Sequence, residues 1–290
     1  MEQFRWSDGP ECPHCGSDAV ARLTPKPTSK RPGRKGLLKS RACRKQFTVT
    51  VGTIFEDSHI PLHKWLLAIH LLCPSKKGFS AHELHRTLGV TYKSAWFLAH
   101  RIRYAMTQPP LSDRLDGVVE ADETYVGGKS RKGTGPHKRG RGTLKTPVVS
   151  FVERNGRVQS FVVERVTGKN LRQMLREHVA QTAVIMSDGY QLHNPMKDGY
   201  AGFETVNHSA GEYARNGAHI NTVEVHFALI KQAAYRTHNH WSKPHLHRYL
   251  AERDFVWNTR ALSDGRRTVL VIQDGVGKRS FLRRPHAPLN

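Results

Sequence analysis

Apolar residues recur at helical spacing in several parts of the chain, which predicts amphipathic helices. The segment 61–106 has this period and is broken at Gly89 and Val90. It predicts one helix, then a short helix and a longer helix joined by a turn. A further helix is predicted to start near Pro244. In the segment 220–236 the apolar positions form one stripe, made of Ile220, Val223, Phe227, Ile230 and Ala234.

The central part of the chain has the patterns typical of strands. Residues 117–128 read GVVEADETYVGG, and residues 146–166 form two β-rich runs separated by Asn155 and Gly156, a strong hairpin signal. Residues 168–181 are predicted to be helical and 183–186 to be a buried strand. The predicted order of elements is that of an RNase H-like domain: three strands, a helix, a strand and a late helix. The predicted fold class is α+β, a mixed sheet flanked by helices.

Shifts in composition divide the chain into four predicted parts. A cysteine-containing, zinc-ribbon-like region covers residues 1–52, and a helical, helix-turn-helix region covers 53–110 up to a Pro-Pro boundary. The RNase H-like catalytic domain covers 111–260. From 261 to 290 the chain becomes polar and basic, which predicts a C-terminal tail whose last residues are poorly ordered.

The charge balance points to a polyanionic partner. The chain has 46 Lys plus Arg against 24 Asp plus Glu, a formal charge of +22. Nucleic acid neutralises such an excess with favourable release of counterions. A ribosome-associated or merely basic protein is the alternative. The longest nearly apolar run, 65–73, is too short to cross a bilayer, and the N-terminus carries no export signal. We therefore expect a cytoplasmic, nucleoid-associated protein with no membrane partner.

Two basic segments are candidates for contact with DNA. The predicted short helix, glycine turn and longer helix match a helix-turn-helix that enters the major groove, although a plain helical hairpin has the same pattern. The segment 129–145 is rich in Lys and Arg and contains no acid. It is interpreted as a disordered loop or as a loop that touches DNA. The candidate DNA-binding residues are Lys93, Arg101, Arg103, Lys129, Arg131, Lys132, Lys138, Arg139 and Arg141.

Three cysteines have the spacing of an incomplete zinc site. Cys12 and Cys15 stand two residues apart in CPHCG, where two thiolates can bind one zinc from a tight turn. Cys43 belongs to the expected second pair, but Ser40 occupies the position of its partner. Zinc binding by Cys12, Cys15 and Cys43 is therefore an open prediction, with His14 as a possible substitute for the fourth ligand.

Four further residues have the arrangement of a phosphoryl-transfer site. Asp122 lies in a predicted strand and Asp188 follows another, while Glu224 and Lys231 lie on the predicted helix 220–236. The last two are seven residues apart, so they share a helix face within about 20°. Carboxylates are the ligands that Mg²⁺ prefers, and two such ions stabilise the attacking and leaving oxygens of a phosphodiester. The pattern predicts two Mg²⁺ (or Mn²⁺) ions per active site.

Segments along most of the chain resemble bacterial insertion-sequence transposases of the IS1595 type. The resemblance is carried by CPHCG, CRKQFTVTVGTIFEDSHIPLHKW, KKGFSAHELHRTLGVTYKSAWFLAHRIR, VVEADETYVGGK, KTPVVSFVER, SDGY and HINTVE. It implies a zinc ribbon and a helix-turn-helix ahead of a DDE domain with the RNase H-like fold. It also implies that Asp122, Asp188 and Glu224 bind the metals and that Lys231 contacts a phosphate.

The function expected from this resemblance is DNA transposition. Its substrates are double-stranded DNA, both the element's ends and the target, and joining two ends requires a homodimer or a larger assembly. The alternatives are a DNA-binding regulator derived from a transposase, or another RNase H-like nuclease. An intact acid triad argues against the first, and an N-terminal DNA-reading region argues against the second.

Overall fold

The chain forms two compact units. The computed structural model describes residues 1–24, 35–107, 114–128, 143–188, 199–206, 214 and 218–279. One unit, called the N-terminal unit, consists of Met1–Pro74, Ala81–Met106 and Leu262–Asn290. The other, called the sheet unit, consists of Ser75–Ser80 and Thr107–Ala261.

The N-terminal unit begins with a small antiparallel sheet. A short helix, α1 (Glu2–Arg5), precedes strands β1 (Val20–Leu23), β2 (Leu37–Ser40) and β3 (Gln46–Phe47), which lie in the order β1-β2-β3. Cys12, Leu38 and Phe47 are buried together beside this sheet. So small a cluster buries little apolar surface, which is the situation in which a bound metal contributes to folding.

Three helices follow in the positions that the apolar period predicted. They are α2 (Leu62–Leu72), α3 (Ala81–Leu88) and α4 (Tyr92–Ala105). Gly89, in the turn between α3 and α4, has a φ of 57°, a conformation that glycine adopts without a steric penalty. The hydroxyl of Thr91 accepts the backbone N–H of Ser94 and caps the start of α4.

The predicted C-terminal tail is partly a helix, which corrects the sequence prediction for 261–290. Helix α8 (Asp264–Asp274) packs on α2 and α4 within the N-terminal unit. Val271 and Ile272 are buried, and the guanidinium of Arg267 donates to the carbonyl of Cys73 at 3.3 Å. The surrounding basic residues concealed this short apolar face. Residues 280–290 lie outside the described part of the chain.

The sheet unit is built on a five-stranded mixed sheet in the order β6-β5-β4-β7-β8. The first three predicted strands pair antiparallel, while β7 runs parallel to β4 and β8 runs parallel to β7. The sequence prediction did not include β8. The strands are β4 (Val118–Val126), β5 (Thr146–Glu153), β6 (Val158–Val162), β7 (Val184–Asp188) and β8 (Gly202–Val206).

Helices cover both faces of this sheet, as the RNase H-like prediction requires. Helix α5 (Gly168–His178) packs on the face that includes Val119 and Ala121. Helices α6 (Asn221–Gln232) and α7 (Leu246–Asn258) pack on the other, which includes Val126 and Met186. Alternate residues of one strand point to opposite faces, so the even-numbered positions of β4 face α6. The acids Glu120 and Asp122 of β4 are therefore on the α6 side of the sheet.

Candidate functional site

Two of the predicted acids lie on neighbouring parallel strands. The register pairs Ala121 of β4 with Ser187 of β7, so Asp122 and Asp188 are the next pair along. Asp188 is the last residue of its strand. Because adjacent strands lie about 4.8 Å apart and paired residues share a face, the two carboxylates are close neighbours on the α6 side of the sheet.

The Asp122 carboxyl is electrostatically unfavourable when ionised. Burial raises its pKa well above the usual value of 3.8, and the negative charges of Asp188 and Glu224 raise it further. The backbone N–H of Glu123 donates to Oδ1 of Asp122 at 2.7 Å and opposes the shift. Two neighbouring carboxylates such as Asp122 and Asp188 fit a divalent cation, which offsets their mutual repulsion and accepts hard oxygen ligands.

Helix α6 carries the third acid and the lysine. Glu224 lies in its first turn and Lys231 in its last turn, and both side chains are exposed. The apolar stripe predicted for this helix is buried against the sheet, as shown by Val223, Phe227 and Ile230. The helix ends in a π-helical turn, Ala233–Thr237. Lys231 lines an open groove with Val225, Ala228, Leu229, Gln232, Tyr235 and Arg236.

A fourth acid at this end of the sheet, Glu120, was not singled out from the sequence. It is fully buried on the same face as Asp122, two residues earlier on β4. Its carboxylate accepts hydrogen bonds from the backbone N–H of Val223 and from the hydroxyl of Thr222, both at 2.9 Å. The available signal was the alternation of the strand, which places Glu120 on the same face as Asp122.

The three cysteines predicted to bind zinc come together in the N-terminal unit. The sulfur atoms of Cys12, Cys15 and Cys43 lie within 4.8 Å of one another. No other such group of potential ligands occurs among the described residues, so the structure does not bring Asp122, Asp188 and Glu224 together as closely. The hydroxyl of Ser40 lies 3.5 Å from the sulfur of Cys15 and accepts the backbone N–H of Cys43 at 3.2 Å. Three converging thiols fit a zinc ion.

Ser40 thus lies beside the three cysteines, at the position where a complete zinc site would have its fourth ligand. The Ser40 hydroxyl and neighbouring donors lower the pKa of Cys15 to about 6. His14, the alternative fourth ligand, instead contacts Phe47 edge-on, with ring centroids 6.4 Å apart.

Comparison with known proteins identifies the family of the chain. A model of the transposase zinc-ribbon domain matches residues 1–46, and a model of the ISXO2-like transposase domain matches residues 114–258, half of the chain. The chain belongs to the IS1595-type transposases. One relative of this transposase is an uncharacterized protein in transposable element ISH50 of Halobacterium salinarum (strain ATCC 700922 / JCM 11081 / NRC-1). The two are 30% identical over 258 residues, covering 84% of this chain and 82% of the relative.

Solved structures give a much weaker likeness. The transposase aligns with a pre-cleavage Mos1 transpososome at a TM-score of 0.29 and 12% identity, over 72% of this chain and 78% of that one. A Mos1 paired-end complex with the left transposon end gives 0.28 and 13%, with the same coverage. The family assignment therefore rests on the sequence matches. No helix in the described part of this transposase is long and apolar enough to cross a membrane.

The candidate DNA-binding residues of the transposase fall into three groups. Lys93 is exposed at the start of α4, where a recognition helix would meet DNA. Arg101 and Arg103 are only 3% and 1% exposed, so their predicted role in contacting DNA is wrong for this structure. Arg101 donates to the carbonyl of Glu56 at 2.8 Å and packs over the ring of Trp65. The six candidates between 129 and 141 lie outside the described residues.

Proposed function

We propose that this transposase cleaves the phosphodiester backbone at the ends of an insertion element and transfers the freed 3′-hydroxyl to target DNA. In this proposal Asp122, Asp188 and Glu224 bind the catalytic metals. The observation that carries the proposal is the placement of Asp122 and Asp188 side by side on adjacent parallel strands, with the charge of Glu224 on α6 near enough to raise the pKa of Asp122. Membership of a transposase family supplies the class of reaction.

Each residue has a distinct role in this proposal. Asp122 and Asp188 present carboxylate oxygens from adjacent strands, and Glu224 presents its oxygens from the helix that covers them. Two Mg²⁺ or Mn²⁺ ions bound there would stabilise charge on the attacking and leaving oxygens of the scissile phosphate. Because ionised Asp122 is disfavoured in the metal-free protein, a bound cation would compete with a proton for this carboxylate.

Lys231 acts on the DNA in this proposal. Its ammonium is exposed two turns from Glu224 on the same helix, so it can neutralise a phosphate beside the scissile bond. The formal charge of +22 provides the general affinity for double-stranded DNA, and Lys93 contributes at the start of α4. We expect at least two copies on DNA, because two ends of one element must be brought together.

The test is cleavage of labelled element ends in Mg²⁺. Asp188→Asn removes a metal ligand while leaving the DNA-reading helices unchanged, so cleavage should fall roughly a thousandfold or more. Binding of the ends, measured by fluorescence anisotropy, should stay near the wild-type value. Asp122→Asn and Glu224→Gln should behave in the same way.

Glu177→Gln is the matched control, because Glu177 is an exposed carboxylate on α5, on the opposite face of the sheet. It should cleave at the wild-type rate. Near wild-type cleavage by all three triad variants would show that the triad is wrong. A wild-type protein that binds ends and never cleaves them would favour a regulator derived from a transposase.

A further inference from the structure

The buried carboxylate of Glu120 has no role in the chemistry proposed above. It lies on the central strand of the sheet, two residues before Asp122, and its side chain is completely withdrawn from solvent. A buried ionised group is costly unless it is paired and hydrogen-bonded. The groups that surround Glu120 therefore indicate what it does.

The direct partners of Glu120 are hydrogen-bond donors. Arg154 donates from Nε to Oε1 at 2.8 Å, and Thr222 donates from its hydroxyl to the same oxygen at 2.9 Å. The backbone N–H of Val223 donates to Oε2 at 2.9 Å. Nδ1 of His219 lies 3.3 Å from Oε1. Because the side chain is fully buried and both of its oxygens accept from the protein, these contacts account for the burial of the Glu120 carboxylate without a metal ion.

Two of these donors belong to the first turn of α6, which has no cap of its own. Its N-cap position is Ile220, whose side chain makes no capping hydrogen bond. Val223 is the third residue of the helix, and its N–H is one that an N-cap side chain normally accepts. Glu120 supplies that acceptor from another strand, and its negative charge is favourable at a helix N-terminus. The residue after Val223 is Glu224.

We infer that Glu120 is a positioning residue that fixes the first turn of α6 to β4, and so fixes Glu224 relative to Asp122. Arg154 balances its charge and also donates from Nη2 to the carbonyl of His219, the residue before the N-cap, at 2.8 Å. The pair thus holds the chain entering α6 as well as the helix start. This inference rests on the proposed metal site.

The experiment measures Mn²⁺ binding by the full chain without DNA, from the free Mn²⁺ signal in electron paramagnetic resonance. Glu120→Gln keeps the shape of the side chain but leaves one acceptor oxygen and turns an amide NH₂ toward donors. The affinity for Mn²⁺ should fall about tenfold or more, as it does when groups that orient metal ligands are changed. Hydrogen exchange at the Val223 amide should become faster. Asp122→Asn provides the background binding.

Leu175→Ala is the control for general destabilisation. Leu175 is buried on α5 against the opposite face of the sheet, away from α6. This variant should be less stable than wild type and should keep the wild-type affinity for Mn²⁺. An equal loss of affinity in Leu175→Ala would show that the effect of Glu120→Gln is only loss of stability, and would overturn the inference.

The remaining outcomes separate the inference from the proposed function. A folded Glu120→Gln protein with wild-type Mn²⁺ affinity overturns the positioning role alone. If that variant does not fold, Arg154→Lys and Thr222→Val replace it in the experiment. Wild-type affinity for Mn²⁺ in both of these variants would likewise overturn the positioning role. A wild-type protein that binds Mn²⁺ no better than Asp122→Asn overturns the metal site itself, and the positioning role with it.

Discussion

Replacing Asp122 by asparagine is expected to stabilise the transposase in the absence of magnesium. Burial and the charges of Asp188 and Glu224 hold the pKa of Asp122 well above its usual value, so the ionised side chain opposes folding at neutral pH. Asparagine has nearly the same shape, and its carbonyl oxygen can still accept the backbone N–H of Glu123. The substitution therefore removes the repulsion and keeps the local hydrogen bond.

The size of the effect follows from the spacing of the two strands. Neighbouring strands lie about 4.8 Å apart. Two like charges at about 5 Å repel by about 3 kcal/mol at the effective dielectric constant of protein sites. Some of this is relieved by protonation and by solvent, so we expect a net gain of about 1–2 kcal/mol. For a unit of this size, that raises the melting temperature by roughly 2–8 °C.

The pH dependence has a defined sign. A raised carboxyl pKa means that the folded state binds the proton more tightly than the unfolded state does. Wild-type stability should therefore improve as the pH falls through the folded-state pKa of Asp122 towards the ordinary value of 3.8. The advantage of Asp122→Asn should disappear over the same interval. Above the folded-state pKa the advantage should be fully present.

Differential scanning calorimetry of the full chain measures this effect. The buffer contains trace zinc and no magnesium, so that the cysteine site of the N-terminal unit is not disturbed. Adding Mg²⁺ should raise the melting temperature of the wild type and leave that of Asp122→Asn unchanged. Glu177→Gln should match the wild type in both conditions. An asparagine variant that is less stable than wild type without Mg²⁺, or that gains equally from Mg²⁺, would refute the reasoning.

Three further predictions concern the zinc site, the helical region and the lysine. Ser40→Cys should convert an easily chelated zinc into one tightly held zinc per chain, since four thiolates complete a tetrahedral site, and metal analysis after chelator treatment checks this. Arg101→Gln should lower the free energy of unfolding by about 1–3 kcal/mol, because it removes a buried hydrogen bond, whereas Lys93→Gln should weaken only DNA binding. Urea unfolding measures the first effect and fluorescence anisotropy the second. The reverse pattern would show that Arg101 contacts DNA. Lys231→Ala should slow cleavage without changing the Mg²⁺ concentration needed for half activity, and a large rise in that concentration would place Lys231 in the metal shell.

Local patterns determined most of the secondary structure of this protein. The stripe of Val223, Phe227 and Ile230 predicted α6 because a helix that packs on a sheet must bury one continuous face. The hairpin between β5 and β6 followed from Asn155, which adopts a positive φ of 60° in the turn. The spacing of Glu224 and Lys231 needed only the helical period. These features depend on neighbours in sequence, so a single sequence contains them.

Pairing between distant segments decided the rest. Asp122 and Asp188 become neighbours only because β7 pairs parallel to β4, and no local signal specifies that pairing. Arg101 and Glu120 carry charges that suggest a surface position, yet both are buried because remote residues supply their partners. Helix α8 forms in a basic segment because α2 and α4 cover its short apolar face. The sequence therefore determined which residues are chemically suitable, while the tertiary contacts decided which side chains meet, since burial and partners depend on segments far apart along the chain.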